Sequence, residues 1–157
     1  LDQALEMIRQ IGLMTATTGT ANGIIQDIKV GFERLQQATL STCAYLIWKD
    51  PMITVGGDTF INSMLSCAGY TNVYSRQLRY PETSLAEIKG LSPEFLFLSS
   101  EPYPFKEKHQ AELQQALPNT KVLMVDGEFF SWYGSRLLHA AQYFKSLRQQ
   151  TDALRKS

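Results

Sequence analysis

The sequence predicts an α/β domain: three layers, with a small parallel sheet flanked by helices and preceded by a long backbone helix. Three observations carry this. Residues 43–48, 95–98 and 121–125 are largely continuous apolar runs of strand length, as strands buried on both faces require. Segments with helical caps and helical spacing separate the runs. Strands joined through helices need crossovers, and right-handed crossovers give parallel pairs.

The elements follow in order. A short helix is expected over 2–10. Threonines in 15–20 offer N-caps for a long helix over 20–38, with Ala21, Ile24, Ile28, Phe32 and Leu35 along one stripe. The strand at 43–48 ends in a loop through Pro51, Gly56 and Gly57. Asp58 is placed to cap a helix whose apolar face is Ile61, Met64, Leu65 and Ala68, with Gly69 as terminator. A short strand at 72–74 follows. Ser84 and Glu87 have capping-box spacing, opening a helix that stops before Pro93. After the 95–98 strand, Pro104 suits the first turn of a helix over 105–117. The 121–125 strand and a final helix over 134–154 complete a sheet of three or four parallel strands.

Composition narrows the function classes. Fifteen basic residues balance fifteen acidic ones among 157, so no global field attracts nucleic acid or an anionic membrane. No run of eighteen apolar residues is present. A beginning at Leu1, with neither methionine nor a signal-peptide pattern, is expected of a chain with more sequence upstream. His109 and His139 fall in separate helical segments without ligand spacing, so no metal site is expected. Cys43 and Cys67 allow one disulfide, but both fall in apolar segments and are expected to be buried and reduced. The GxSxG, GxxxxGK, GxGxxG and HExxH signatures are missing.

In open parallel sheets ligands gather beyond the carboxyl ends of the strands. Loops 49–57, 99–104 and 126–135, with the strand-end Trp48, hold Met52, Ile53, Tyr103, Phe129, Phe130, Trp132 and Tyr133. Such aromatics suit a flat, partly apolar ligand, or they pack the loops themselves. Arg136 has two readings: a bidentate anchor for a carboxylate or phosphate, or an ion pair with Asp126 or Glu128. Asp126 and Glu128 are themselves either an acid/base pair of a small α/β enzyme or turn formers. A stand-alone interaction domain is the remaining alternative.

The stretch Trp48-Lys49-Asp50-Pro51-Met52-Ile53-Thr54-Val55-Gly56-Gly57-Asp58-Thr59-Phe60-Ile61, continuing to Asn72-Val73-Tyr74, resembles the class III substrate-binding proteins of ABC importers. The likeness extends through Tyr80-Pro81-Glu82-Thr83-Ser84, Leu91-Ser92-Pro93-Glu94, and Asp126-Gly127 to Ser131-Trp132-Tyr133-Gly134-Ser135-Arg136, covering about 40–147. These helical-backbone receptors carry iron siderophores, haem or cobalamin between two lobes joined by one helix. The resemblance implies that 1–38 are the end of the amino-terminal lobe and the connecting helix, and 39–157 the carboxy-terminal lobe.

It further implies a binding protein and not an enzyme, without a cofactor of its own. The implied partners are a metal-chelate or corrinoid ligand and an ABC permease, with a periplasmic or lipid-anchored extracytoplasmic location. Tyr80-Pro81 matches an aromatic-proline pair that touches ligand in cobalamin-binding relatives; Ile53 and residues 129–132 are further implied contacts. With Trp48 and Arg136 from the loop argument, the expected ligand-binding set is Trp48, Ile53, Tyr80, Phe129, Trp132 and Arg136. A transporter-docking glutamate of the family falls at Ala86 here, with Glu87 beside it, which leaves Glu87 as both docking and capping-box candidate. The relatives' disulfide positions correspond to Ala68 and the neighbourhood of Lys145, so that bridge does not carry over.

Overall fold

The computed structural model describes residues 1–35 and 41–156. Helices α1 (Asp2–Met14) and α2 (Thr18–Glu33) come first. Then follow β1 (Ser41–Trp48), β2 (Ile53–Thr54), α3 (Phe60–Cys67), β3 (Tyr70–Asn72), α4 (Leu85–Leu91), β4 (Phe95–Ser99), α5 (Glu107–Ala116) and β5 (Lys121–Val125). A short α6 (Glu128–Ser131) and a 3-10 turn (Gly134–Arg136) lead into α7 (Leu137–Arg155).

The sheet order is β2-β1-β4-β5, with β3 also paired to β1. Pairings β1–β3, β1–β4 and β4–β5 are parallel, as the apolar runs predict. Strand alternation divides the side chains between two cores. Cys43, Tyr45, Phe95, Phe97, Leu123 and Val125 join residues of α1, α2, α3 and α7 on one face. Ala44, Leu46, Leu96, Leu98 and Val122 pack with Ile88 of α4 and Leu113 of α5 on the other. The first core runs unbroken from Ala4 and Ile28 through to Leu147, and Phe32 meets Phe144 edge to face at 6.1 Å.

Several elements depart from expectation for identifiable reasons. The long helix ends at Glu33; residues 36–38 of the expected span lie outside the described residues. Leu35 turns inward, its N–H donating to the Phe32 carbonyl at 3.0 Å and its own carbonyl accepting from Arg148 at 2.5 Å. The cap of α3 is Thr59, which accepts from Asn62 N at 3.1 Å. Asp58 instead accepts from the Arg79 backbone N–H at 2.6 Å. The strand expected at 72–74 is displaced to Tyr70–Asn72, because the Asn72 carboxamide accepts from Tyr74 N and turns the chain.

Helix α5 starts at Glu107 rather than at Phe105 because His109 Nδ1 accepts the Lys106 N–H at 3.0 Å, a side-chain cap. Half of the predicted capping box forms: Ser84 Oγ accepts from Glu87 N at 3.2 Å. The Glu87 carboxylate accepts from Thr83 Oγ1 and Gln77 Nε2. The antiparallel β2 and the one-turn α6 are too short to show a period. Both cysteines are free, but only Cys43 is fully buried; Cys67, at the end of α3, is half-buried.

Candidate functional site

The parallel strands β1, β4 and β5 bring Trp48, Ser99 and Val125 to the same end of the sheet. The loops that follow are tied to one another. The Ser100 N–H donates to the Val125 carbonyl at 3.0 Å, and Gly127 N donates to Ser100 Oγ at 3.0 Å. Tyr103 packs edge to face on Trp48 at 5.5 Å, and its N–H donates to the Ile47 carbonyl. Trp132 Nε1 donates to Glu101 Oε1 at 2.6 Å, so one loop, 99–105, touches both tryptophans.

A second device presents Tyr80. Segment 77–83 runs against 52–57: Thr54 N donates to Pro81 O, Gly56 N to Arg79 O, Gly57 N to Gln77 O, and Thr83 N to Met52 O, all within 3.0 Å. A side chain at Gly56 would set its Cβ 2.5 Å from the Gln77 carbonyl oxygen, so only glycine permits this approach. Arg79 adopts φ +60°, a conformation uncommon for a residue with a side chain. Asp58 holds it there through the Arg79 N–H and an ion pair to Nε at 3.6 Å. Tyr80 emerges from this ribbon 52% exposed.

The six residues expected to bind ligand therefore fall into two groups. Trp48 pairs with Ile53 across β1 and β2, and Ile53 bridges to Glu82, two residues from Tyr80. Trp132 joins this set through Glu101 and the 99–105 loop. Trp48, Tyr80 and Trp132 are exposed; Ile53 is half-buried. Phe129 and Arg136 form the second group. Phe129 stacks on Tyr143 at 4.4 Å, and the Arg136 guanidinium lies 4.5 Å over the Phe129 ring.

Arg136 also pairs with Asp126 at 3.7 Å and, closer, with Glu128. Its Nε is buried without a hydrogen-bond partner, so ion pairing and ring contact hold the charge. The ion-pair reading of Arg136 is thus realised. Asp126 Oδ1 accepts from Glu128 N at 3.1 Å, which is a turn-forming contact. Tyr133 stacks on Phe60 at 4.3 Å. Among the described residues no cluster of histidine, cysteine and acidic side chains is arranged to hold a metal.

Glu101 escaped the sequence reading because a single glutamate in a proline-flanked loop carries no periodic or motif signal. The largest described cavity, about 770 Å³, lies at the opposite end of the sheet. Lys29, Phe32, Glu33, Cys67, Gly69 and Arg148 line it, beside the start of β1.

No protein family model matches the sequence, and no curated protein matches it. Solved structures do. A possible iron-binding periplasmic solute-binding protein from Staphylococcus epidermidis aligns with a TM-score of 0.76 and 18% identity, over 94% of this chain and 61% of its own. The periplasmic vitamin B12 binding protein of Vibrio cholerae gives 0.73 and 14%, over 95% and 62%. A periplasmic heme binding protein from Pseudomonas aeruginosa gives 0.75 and 14%, over 94% and 59%. The likeness is one of fold, and the chain spans about three fifths of the length of these proteins.

Proposed function

Proceeding from that fold, the carboxy-terminal lobe of a class III substrate-binding protein, we propose that this chain serves as the ligand-receiving lobe of an extracytoplasmic receptor for an ABC importer. Its ligand is a metal chelate or corrinoid: an iron siderophore, haem or cobalamin. Residues 1–38 close the amino-terminal lobe and supply the connecting helix, and 39–157 form the lobe itself. The work is binding, with no covalent step.

One observation carries this reading: Trp48 and Trp132 are exposed at the carboxyl ends of the strands, and Tyr80 on the adjoining 77–83 ribbon, while hydrogen bonds pin the segments that bear them. Leaving large aromatic surface in water costs roughly 25 cal/mol per Å², and pinned aromatics cannot fold away to recover it. A macrocycle or chelate with apolar faces recovers that area on binding. Ile53 and Phe129 extend the contact. Arg136 is held by Asp126 and Glu128, so an acidic substituent of the ligand meets it by displacing one of those carboxylates. Glu87, half-buried on the first turn of α4, supplies acidic character toward a permease.

The test is a fluorescence titration of this chain with haemin, a ferric hydroxamate siderophore and cyanocobalamin. At least one probe quenches the tryptophans saturably. Tyr80→Ala and Trp132→Ala each weaken that binding by about 1–3 kcal/mol, the range for truncating a well-packed aromatic anchor. Absence of saturable binding, or parental affinity in both variants, contradicts the assignment.

A further inference from the structure

We propose that Glu101 is a positioning residue: its carboxylate holds the Trp132 indole in one orientation for ligand contact. The inference rests on the reading of the strand-end face as the chelate-binding face. Trp132 follows the last turn of α6 in extended backbone and is 53% exposed. An indole in that position rotates freely unless something grips its one donor, and ordering it on binding costs affinity.

Glu101 supplies the grip. Its Oε1 accepts from Trp132 Nε1 at 2.6 Å and from Ser131 Oγ at 2.7 Å. Hydrogen bonds to an ionised carboxylate are short and strong. The backbone of Glu101 is fixed in turn: Ser99 Oγ donates to its carbonyl at 2.5 Å and accepts from its N–H at 3.4 Å. Ser99 Oγ also accepts from Tyr45 OH at 3.1 Å, and Tyr45 is buried against Phe130 of α6. A relay therefore runs from the core through Ser99 and Glu101 to an exposed indole. Gly127 leaves room for it, since a Cβ there would lie 2.8 Å from Glu101 Cγ.

The experiment compares Glu101→Ala and Glu101→Gln in the full chain. Two indole N–H resonances, from Trp48 and Trp132, are assigned with Trp132→Phe. In Glu101→Ala the Trp132 resonance moves and its solvent exchange quickens, while the Trp48 resonance stays. The dissociation constant for whichever of haemin, ferrichrome or cyanocobalamin the parent binds best rises about tenfold, the scale of one ordered side chain. Glu101→Gln keeps an oxygen acceptor for the indole and restores binding to within about twofold. Should Glu101→Ala fail to fold, Glu101→Asp withdraws the carboxylate and makes the same comparison.

Parental affinity in Glu101→Ala despite a displaced Trp132 resonance overturns the inference and leaves the proposed function standing. Loss of binding in Glu101→Gln with an unmoved indole resonance also overturns it, since the charge would then be touching ligand directly. If the parent binds none of the three probes, the reading of the face falls and this inference with it.

Discussion

His109 couples one titrating group to the loop that carries Tyr103. Its ring lies 5.6 Å from Tyr103 and 5.9 Å from Phe105, and its Nδ1 accepts the Lys106 N–H. Removal from water, with Lys49, Lys108 and Lys106 nearby, holds its pKa below the ordinary 6.5; Glu112 opposes this more weakly. The folded state thus prefers neutral imidazole, whereas the unfolded chain takes up a proton near 6.5. Stability from this residue is fully present above pH 6.5 and lost as pH falls through the depressed folded value. Protonation would also turn Nδ1 from acceptor to donor and abolish the cap. The expected outcome is a melting temperature that falls from pH 7 to pH 5 more steeply in the parent than in His109→Gln. Parallel curves would contradict it. Glu6 is opposite in kind: hydrogen bonds from Arg9 and Gln10 hold its carboxyl at about 2, so it stays ionised across that range.

Among elements, α7 is the clamp. Arg148 donates to the carbonyls of Ala68, Leu35 and Cys67 at 2.5, 2.5 and 3.0 Å, tying the end of α3 and the segment after α2 to one guanidinium. Carbonyls at helix C-termini lack intrahelical partners and carry negative partial charge, so a cation there satisfies both needs. Arg148→Ala is expected to cost about 2–3 kcal/mol in chemical denaturation, as hydrogen bonds to a charged group do. Arg148→Lys should recover only part, since an ammonium lacks the planar fork. Loss below about 0.5 kcal/mol would refute the clamp. Elements of this kind mark the limit of what the sequence reveals. The runs at 43–48, 95–98 and 121–125 are legible because burial on both faces leaves no polar position. The early end of α2 was not, because Leu35 continues the apolar stripe of the helix while its carbonyl is taken by a residue 113 positions away.

At the scale of the whole molecule, a parallel sheet delivers three loops to one end, and short hydrogen bonds turn those loops into a fixed aromatic face. That these loops share one end was readable from the sequence, because apolar strands separated by helices pair in parallel through right-handed crossovers. How Trp48 and Trp132 are held was not, since Tyr103 and Glu101 act across distances of 55 and 31 residues that no local pattern encodes. The large cavity beside Lys29 and Arg148 is the structural competitor, roomier but at the amino ends of the strands. Chemical-shift mapping of the nitrogen-15-labelled chain during titration with cyanocobalamin, haemin and a ferric hydroxamate separates the two most directly. The first shifts are expected at the Trp48 and Trp132 indoles and at the Tyr80 amide, with residues around Arg148 unmoved. Shifts centred on Lys29, Phe32 and Arg148, with both indole signals unchanged, would contradict it.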